Sequence, residues 1–203
     1  MKKQRDIIAD LTDKELVINV YLTQTIMFVI AVISGFFVFN EWSDFTQLFE
    51  INVTLIFLLG GGVALFVVAL DLILERILPN NWLDDGGINE RVFRNLTTPQ
   101  LFFLCGVVAF AEELLFRAVL QTAFGLIVAS VIFALIHIRY LDKPVLFLNV
   151  CLASFLLGAL FHLTGLIVVT IFTHFLVDFL LGLIIRNRYR KKIKIKEGEG
   201  ENG

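Results

Sequence analysis

The chain has 203 residues, 58% of them apolar and 18% charged, with three prolines and a formal net charge of −2; soluble domains run at roughly 45–50% apolar and 25% charged. That balance excludes an ordinary cytosolic globule. Apolar runs of about 20 residues point to membrane helices, and the alternating segments of a membrane barrel are missing. The expected fold class is therefore all-α, a polytopic membrane bundle of about six transmembrane helices plus a short interfacial helix. Lys and Arg are segregated along the chain, no basic groove interleaved with aromatics is present, and no nucleic-acid partner is expected. Cys105 and Cys151 both lie inside apolar stretches, which predicts buried thiols rather than a disulfide framework.

In chain order, residues 1–16 are polar and form an expected cytoplasmic N-terminal segment. No small-residue cleavage site follows, so the first span reads as retained. A membrane domain over 17–186 contains apolar spans at about 17–39, 53–74, 99–121, 124–140, 144–163 and 166–186. Between the second and third, Ile88, Val92 and Leu96 recur at helical spacing beside Arg91, Arg94 and Trp82, a pattern suited to a short helix at the membrane surface. Thr98 followed by Pro99 predicts an N-cap and a proline at the first helical position of span three. Residues 187–203 read as a basic stretch, RNRYRKKIKIK with its lead-in, then a Gly/Glu-rich end. The first is drawn to anionic lipid headgroups and the second is expected to be disordered.

With six spans, every Lys and Arg except Arg117 falls on one side of the membrane. The positive-inside rule then makes that side cytoplasmic, giving a multi-pass protein of the cell membrane with both termini inside. His162 falls near the opposite end of span five and reads as an interfacial histidine.

The remaining ionisable groups are the informative ones, since each costs about 2.5–3.5 kcal/mol to insert at bilayer depth. Span three contains AEELLFRAVL, which carries Glu112, Glu113 and Arg117. Glu113 and Arg117 are four apart and share a helix face, which predicts an ion pair. Glu112 is turned from Glu113 by about 100° and is left free. Span four contains FALIHI, with Phe133 one turn before His137, and span six contains THFLVDF, with His174 and Asp178 four apart. If span three turns back near Ala123, Glu112 lies about 16 Å and His137 about 21 Å below the turn. Counted from Leu166 on the same side, His174 and Asp178 lie about 12 and 18 Å deep, so one layer collects all four.

These motifs resemble those of the CAAX-protease and bacteriocin-processing (CPBP, or Abi) family of intramembrane endopeptidases, E-E-x-x-x-R, F-x-x-x-H and H-x-x-x-N or D on successive helices. Glu112 to Arg117, Phe133 to His137, and His174 to Asp178 match them in order and spacing. The glycine-containing stretch before the last motif is partly present around Gly158, with His162 where a second small residue often stands. The resemblance covers a core of about 99–186 and implies a protease of membrane-associated substrates: a prenylated C-terminal peptide, a leader peptide or another membrane protein.

It implies Glu112, His137, His174 and Asp178 as the catalytic set and Glu113, Arg117 and Phe133 as supporting residues. Glu112 would act as general base toward water, His137 would hold and polarise that water, and His174 with Asp178 would stabilise the oxyanion. Two mechanisms stay open. His137, His174, Glu112 and Asp178 form an acceptable ligand set for Zn²⁺ with an open water position, although the H-E-x-x-H helix is missing. In the other, Glu and His activate water without a metal; Asp178 then stands where the eukaryotic CAAX endoproteases carry Asn. Ser154 has neither a G-x-S-x-G elbow nor a nearby base, which disfavours a serine protease. A non-enzymatic reading, a bacteriocin immunity protein or a proton or ion relay, would use the same polar cluster, but a relay needs ionisable groups staggered through the full membrane depth.

Overall fold

A computed structural model describes residues 10–79, 82–141 and 143–200, without the side chains of Arg139 and of 196–200. Lys2, Lys3 and Arg5, part of the charge argument, lie outside the described residues. Among those described the structure is helical with no strand. The helices are α1 (Asp13–Val38), a short α2 (Trp42–Gln47), α3 (Leu55–Ile77, its first turns π-wound), α4 (Ile88–Phe93), α5 (Thr98–Glu113, continued by a π-wound Leu114–Gln121), α6 (Thr122–Ile136), α7 (Pro144–Thr164) and α8 (Ile167–Gly200). Ile18, Leu22, Ile33, Phe36, Phe57 and Phe103 are exposed, while Glu113, Arg117, Ser130 and Ser154 are buried. This inside-out distribution is what a lipid surround selects, because apolar exterior meets apolar solvent and polar groups must find each other.

Five helical stretches are long and apolar enough to cross a membrane, and one of them, Thr98–Ile136, is really a hairpin. Gly125 sits at φ 81°, ψ 169°, a conformation glycine reaches without a Cβ clash. The chain reverses there, and the Phe133 ring returns to 4.9 Å from the Phe116 ring. The reversal was expected near Ala123. What differs is the length of the descending arm: the fourth span expected over 124–140 is a helix only over 126–136, a rise of about 16 Å. His137 ends it with φ −80°, ψ 46°, and a 3₁₀ turn, Ile138–Tyr140, follows.

Two starts are set by side chains. Thr12 and Glu15 form a reciprocal capping box, so α1 begins at Asp13, ahead of the apolar run. The cap of α5 is Thr97, one residue before the Thr98 predicted. Thr97 N–H donates to Gln100 Oε1 at 2.9 Å while its hydroxyl accepts from Gln100 N–H at 3.4 Å, a reciprocal pair that a cap at Thr98 would forgo. Pro144 opens α7 and Gly165, at φ 66°, closes it.

One end of the bundle gathers the cations. Asp13 receives Arg94 Nε at 2.5 Å and Arg91 Nε at 3.2 Å, Arg186 and Arg190 donate to Leu96 O, and Arg188 pairs with Glu75. The opposite end holds the Gly125 turn, α2, and the bond from Ile167 N–H to Leu48 O at 2.8 Å. Val92 is buried with Leu16 and Leu104, so α4 packs on the bundle and its arginines serve an internal carboxylate. The backbone of α8 stays helical to Gly200, where disorder was expected from residue 197 on. A helix already nucleated by packing extends residue by residue without a second nucleation cost.

Candidate active site

The site begins with the turn of α5 that carries Glu112 and Glu113. Successive helical residues diverge by about 100°, and the two carboxylates reach different neighbours. Glu113, fully buried, faces Arg117 Nε at 3.4 Å, an ion pair rather than an aligned hydrogen bond. Its Oε1 accepts from His174 Nδ1 at 2.9 Å. Glu112 faces α1: its Oε1 accepts from Gln24 Nε2 at 2.9 Å, and its Oε2 lies 3.9 Å from His174 Nε2. The carboxylate expected to be free is therefore held, although by a neutral amide.

His174 stands among three carboxylates. Beyond Glu113 and Glu112, its Nε2 is 3.5 Å from Asp178 Oδ2. Because a carboxylate can only accept, the Glu113 contact fixes a proton on Nδ1, and Nε2 is the nitrogen turned toward Glu112 and Asp178. The carboxylates converge on a ring instead of on a common point. Accordingly, among the described residues no three His, Cys, Asp or Glu side chains are grouped so as to hold a metal ion, and the residues proposed as Zn²⁺ ligands do not fit that role in this arrangement.

His137 is joined to the cluster through an aromatic wall. The Phe133 ring lies 4.8 Å from His137 and 6.4 Å from His174; Tyr140 stacks on the other side of His137 at 6.2 Å. His137 Nδ1 bonds to Phe133 O at 2.8 Å. A carbonyl also only accepts, so Nδ1 carries the proton and Nε2 of the neutral ring is an acceptor. Direct contacts thus unite Glu112, Glu113, Arg117, His174 and Asp178, while among the described residues no hydrogen bond or ion pair ties His137 to them. His162 is exposed near the end of α7, away from this layer.

Four polar residues outside the motifs complete the site. Arg117 is fully buried and spends its donors on Ser154 Oγ (3.0 Å), Gln121 Oε1 (3.3 Å) and Ser130 Oγ (3.4 Å), with Phe133 beneath its guanidinium at 5.5 Å. Gln121 Nε2 donates to Gly158 O at 2.7 Å. A Cβ at Gly158 would come within 3.0–3.1 Å of Ser130, Arg117 and Gln121, so glycine there lets α7 close over the arginine. Ser154, excluded as a nucleophile from its context, is an arginine partner. The fourth is Gln24 in the first span, which the sequence reading passed over as generic membrane character.

The chain matches the family model "Type II CAAX prenyl endopeptidase Rce1-like" over residues 94–180, a stretch holding all three motifs. It is 38% identical over 176 residues to a protein of Bacillus subtilis (strain 168) described as "Uncharacterized protein YpbD", covering 87% of this chain and 93% of the relative. This chain belongs to the Rce1-like family. No solved structure matches it. Rce1-like proteins are CAAX-type proteases, and the multi-pass helical membrane architecture accords with that family. Gln24 lies outside the matched residues.

Proposed function

We propose that the protein is an intramembrane endopeptidase that hydrolyses a peptide bond of a prenylated or otherwise membrane-anchored peptide, with Glu112 as general base. The observation that carries this reading is the pair formed by Glu112 and His174: a carboxylate hydrogen-bonded by a neutral amide, facing the second nitrogen of an imidazole whose other nitrogen is fixed by Glu113.

In the proposed reaction Glu112 takes a proton from a water molecule as the water oxygen bonds to the carbonyl carbon of the substrate. The carbonyl electron pair moves onto oxygen, and His174 Nε2–H, the ring held in place by Glu113, donates to that oxyanion. Collapse breaks the C–N bond, and Glu112 returns its proton to the departing nitrogen. His137 Nε2 accepts the second hydrogen of the attacking water. The cationic end of the bundle faces the cytoplasm and its anionic headgroups, following the positive-inside rule.

The test is a comparison of membranes from cells carrying the wild-type chain or Glu112→Gln, scored by mass spectrometry for peptides cut only by the former. Turnover of a farnesylated CAAX peptide by the purified wild type, with its loss in Glu112→Gln, supports the prenylated substrate. Identical peptide profiles in the two membranes would sink the protease reading. Metal analysis belongs to the same experiment, since near one equivalent of Zn²⁺, lost in His137→Ala and His174→Ala, would replace the metal-independent route.

A further inference from the structure

A groove of about 480 Å³ runs between α1 and α5, walled by Phe28, Phe103, Gly106, Phe110 and Ala111, with Gln24 on its inner side. It is apolar apart from Gln24 and Thr25, and it opens to the outer, lipid-facing surface where Phe28, Phe103 and Phe110 are exposed. Ala111 and Gln24 bring its floor to Glu112, since Ala111 precedes Glu112 in the chain and Gln24 donates to its carboxylate.

Gln24 is only 5% exposed, and the donation to Glu112 fixes its amide orientation, because a carboxylate needs the NH₂ side. The other half of the amide, Oε1, is then buried with no hydrogen-bond partner. An orphaned carbonyl oxygen at this depth is expensive, and the neighbouring threonines show the alternative: Thr23 and Thr25 turn their hydroxyls back to Asn19 O and Tyr21 O at 2.8 Å. Gln24 reaches away from its own helix instead. An apolar groove with one unpartnered acceptor beside the proposed base suits a ligand that is apolar along its length and offers a single N–H, which describes an extended peptide backbone entering from the bilayer.

We infer that Gln24 is a positioning residue that seats the substrate: its NH₂ aims the Glu112 carboxylate, and its Oε1 accepts a backbone N–H of a peptide lying in the α1–α5 groove. This rests on the reading of Glu112 as general base. One side chain then registers both reactants, so the scissile carbonyl is presented to the water that Glu112 deprotonates.

The test uses full-length protein in lipid nanodiscs and an internally quenched farnesylated CAAX peptide, together with analogues in which each amide near the cut is replaced in turn by an ester, which removes the N–H. In the wild type one ester position lowers kcat/KM about tenfold, and in Gln24→Leu that position makes no difference. Gln24→Leu itself lowers kcat about 10- to 100-fold with unchanged membrane accumulation. Wild-type kcat in Gln24→Leu, or an ester scan that is the same with and without Gln24, would overturn the inference. If the wild type does not cut the peptide, the prenylated substrate falls while Gln24 is still read by photocrosslinking from p-benzoylphenylalanine in place of Phe28. Capture of the peptide that drops several-fold in Gln24→Leu sustains the seat, and equal or absent capture removes it.

Discussion

Glu112 and Glu113 are adjacent in sequence and one helical step apart, yet they occupy opposite kinds of surroundings. Glu113 belongs to a sealed nest in which Arg117, Ser130, Ser154 and Gln121 bind one another and nothing is exposed above a few per cent. Glu112 belongs to a half-open layer with His174 and Asp178, whose side chain is 32% exposed, next to a groove that reaches lipid. The nest is dense in polar contacts around the Glu113–Arg117 ion pair, which is how a buried charge persists. The layer holds its carboxylates and the His174 Nε2 at looser distances and leaves the Gln24 amide oxygen without a partner. Helix rotation alone sorts the two, and His174 bridges them, with Nδ1 in the nest and Nε2 in the layer.

Substitutions should separate the regions by what they damage. Glu112→Gln, in the layer, is expected to lower proteolysis about 10²–10⁴-fold with accumulation and thermal stability in detergent unchanged; activity above about a tenth of wild type breaks the base assignment. Arg117→Ala, in the nest, strands Glu113 and should destabilise by about 3–5 kcal/mol, read as loss of membrane-inserted protein, with activity falling only because protein is lost. Gly158→Ala pushes a methyl into Arg117, Gln121 and Ser130 and should cost about 1–3 kcal/mol, visible as a lower melting temperature with near-normal kcat in the surviving protein. The smallest effect is expected at Asp178→Asn: within about tenfold of wild-type kcat if Asp178 only positions His174. A larger fall accompanied by loss of bound metal would merge Asp178 with a metal site and dissolve the distinction.

The fold was legible because its strongest signals are local and redundant. Apolar run length located the helices, and the placement of cations anticipated which ends meet. The short fourth arm was not, since hydropathy cannot see that His137 leaves the helix. At the site, the motif spacings foretold Glu113 with Arg117 and His174 with Asp178, both contacts within one helix. The links between helices, His174 to Glu113 and Gln24 to Glu112, depend on rotation and depth that one sequence does not encode. A single signal was available for Gln24: a glutamine at membrane depth in YLTQTIMFVI, without the hydroxyl that lets Thr23 and Thr25 bond their own backbone. Ser130 and Ser154 carried no such mark, because small polar residues are ordinary at helix contacts.

The descending arm after Gly125 has one more consequence. Its helix rises about 16 Å and the 3₁₀ turn adds about 6 Å, against a hydrocarbon thickness near 30 Å. Helices on either side of it are full length, so the lipid beside this arm must either thin or admit headgroups and water to the level of His137. The proposed hydrolysis inside the membrane needs water as its second reactant, and a locally shallow bilayer at His137 would deliver it to the polar layer. Under the proposed function, the thickness of the surrounding membrane becomes a variable of the reaction.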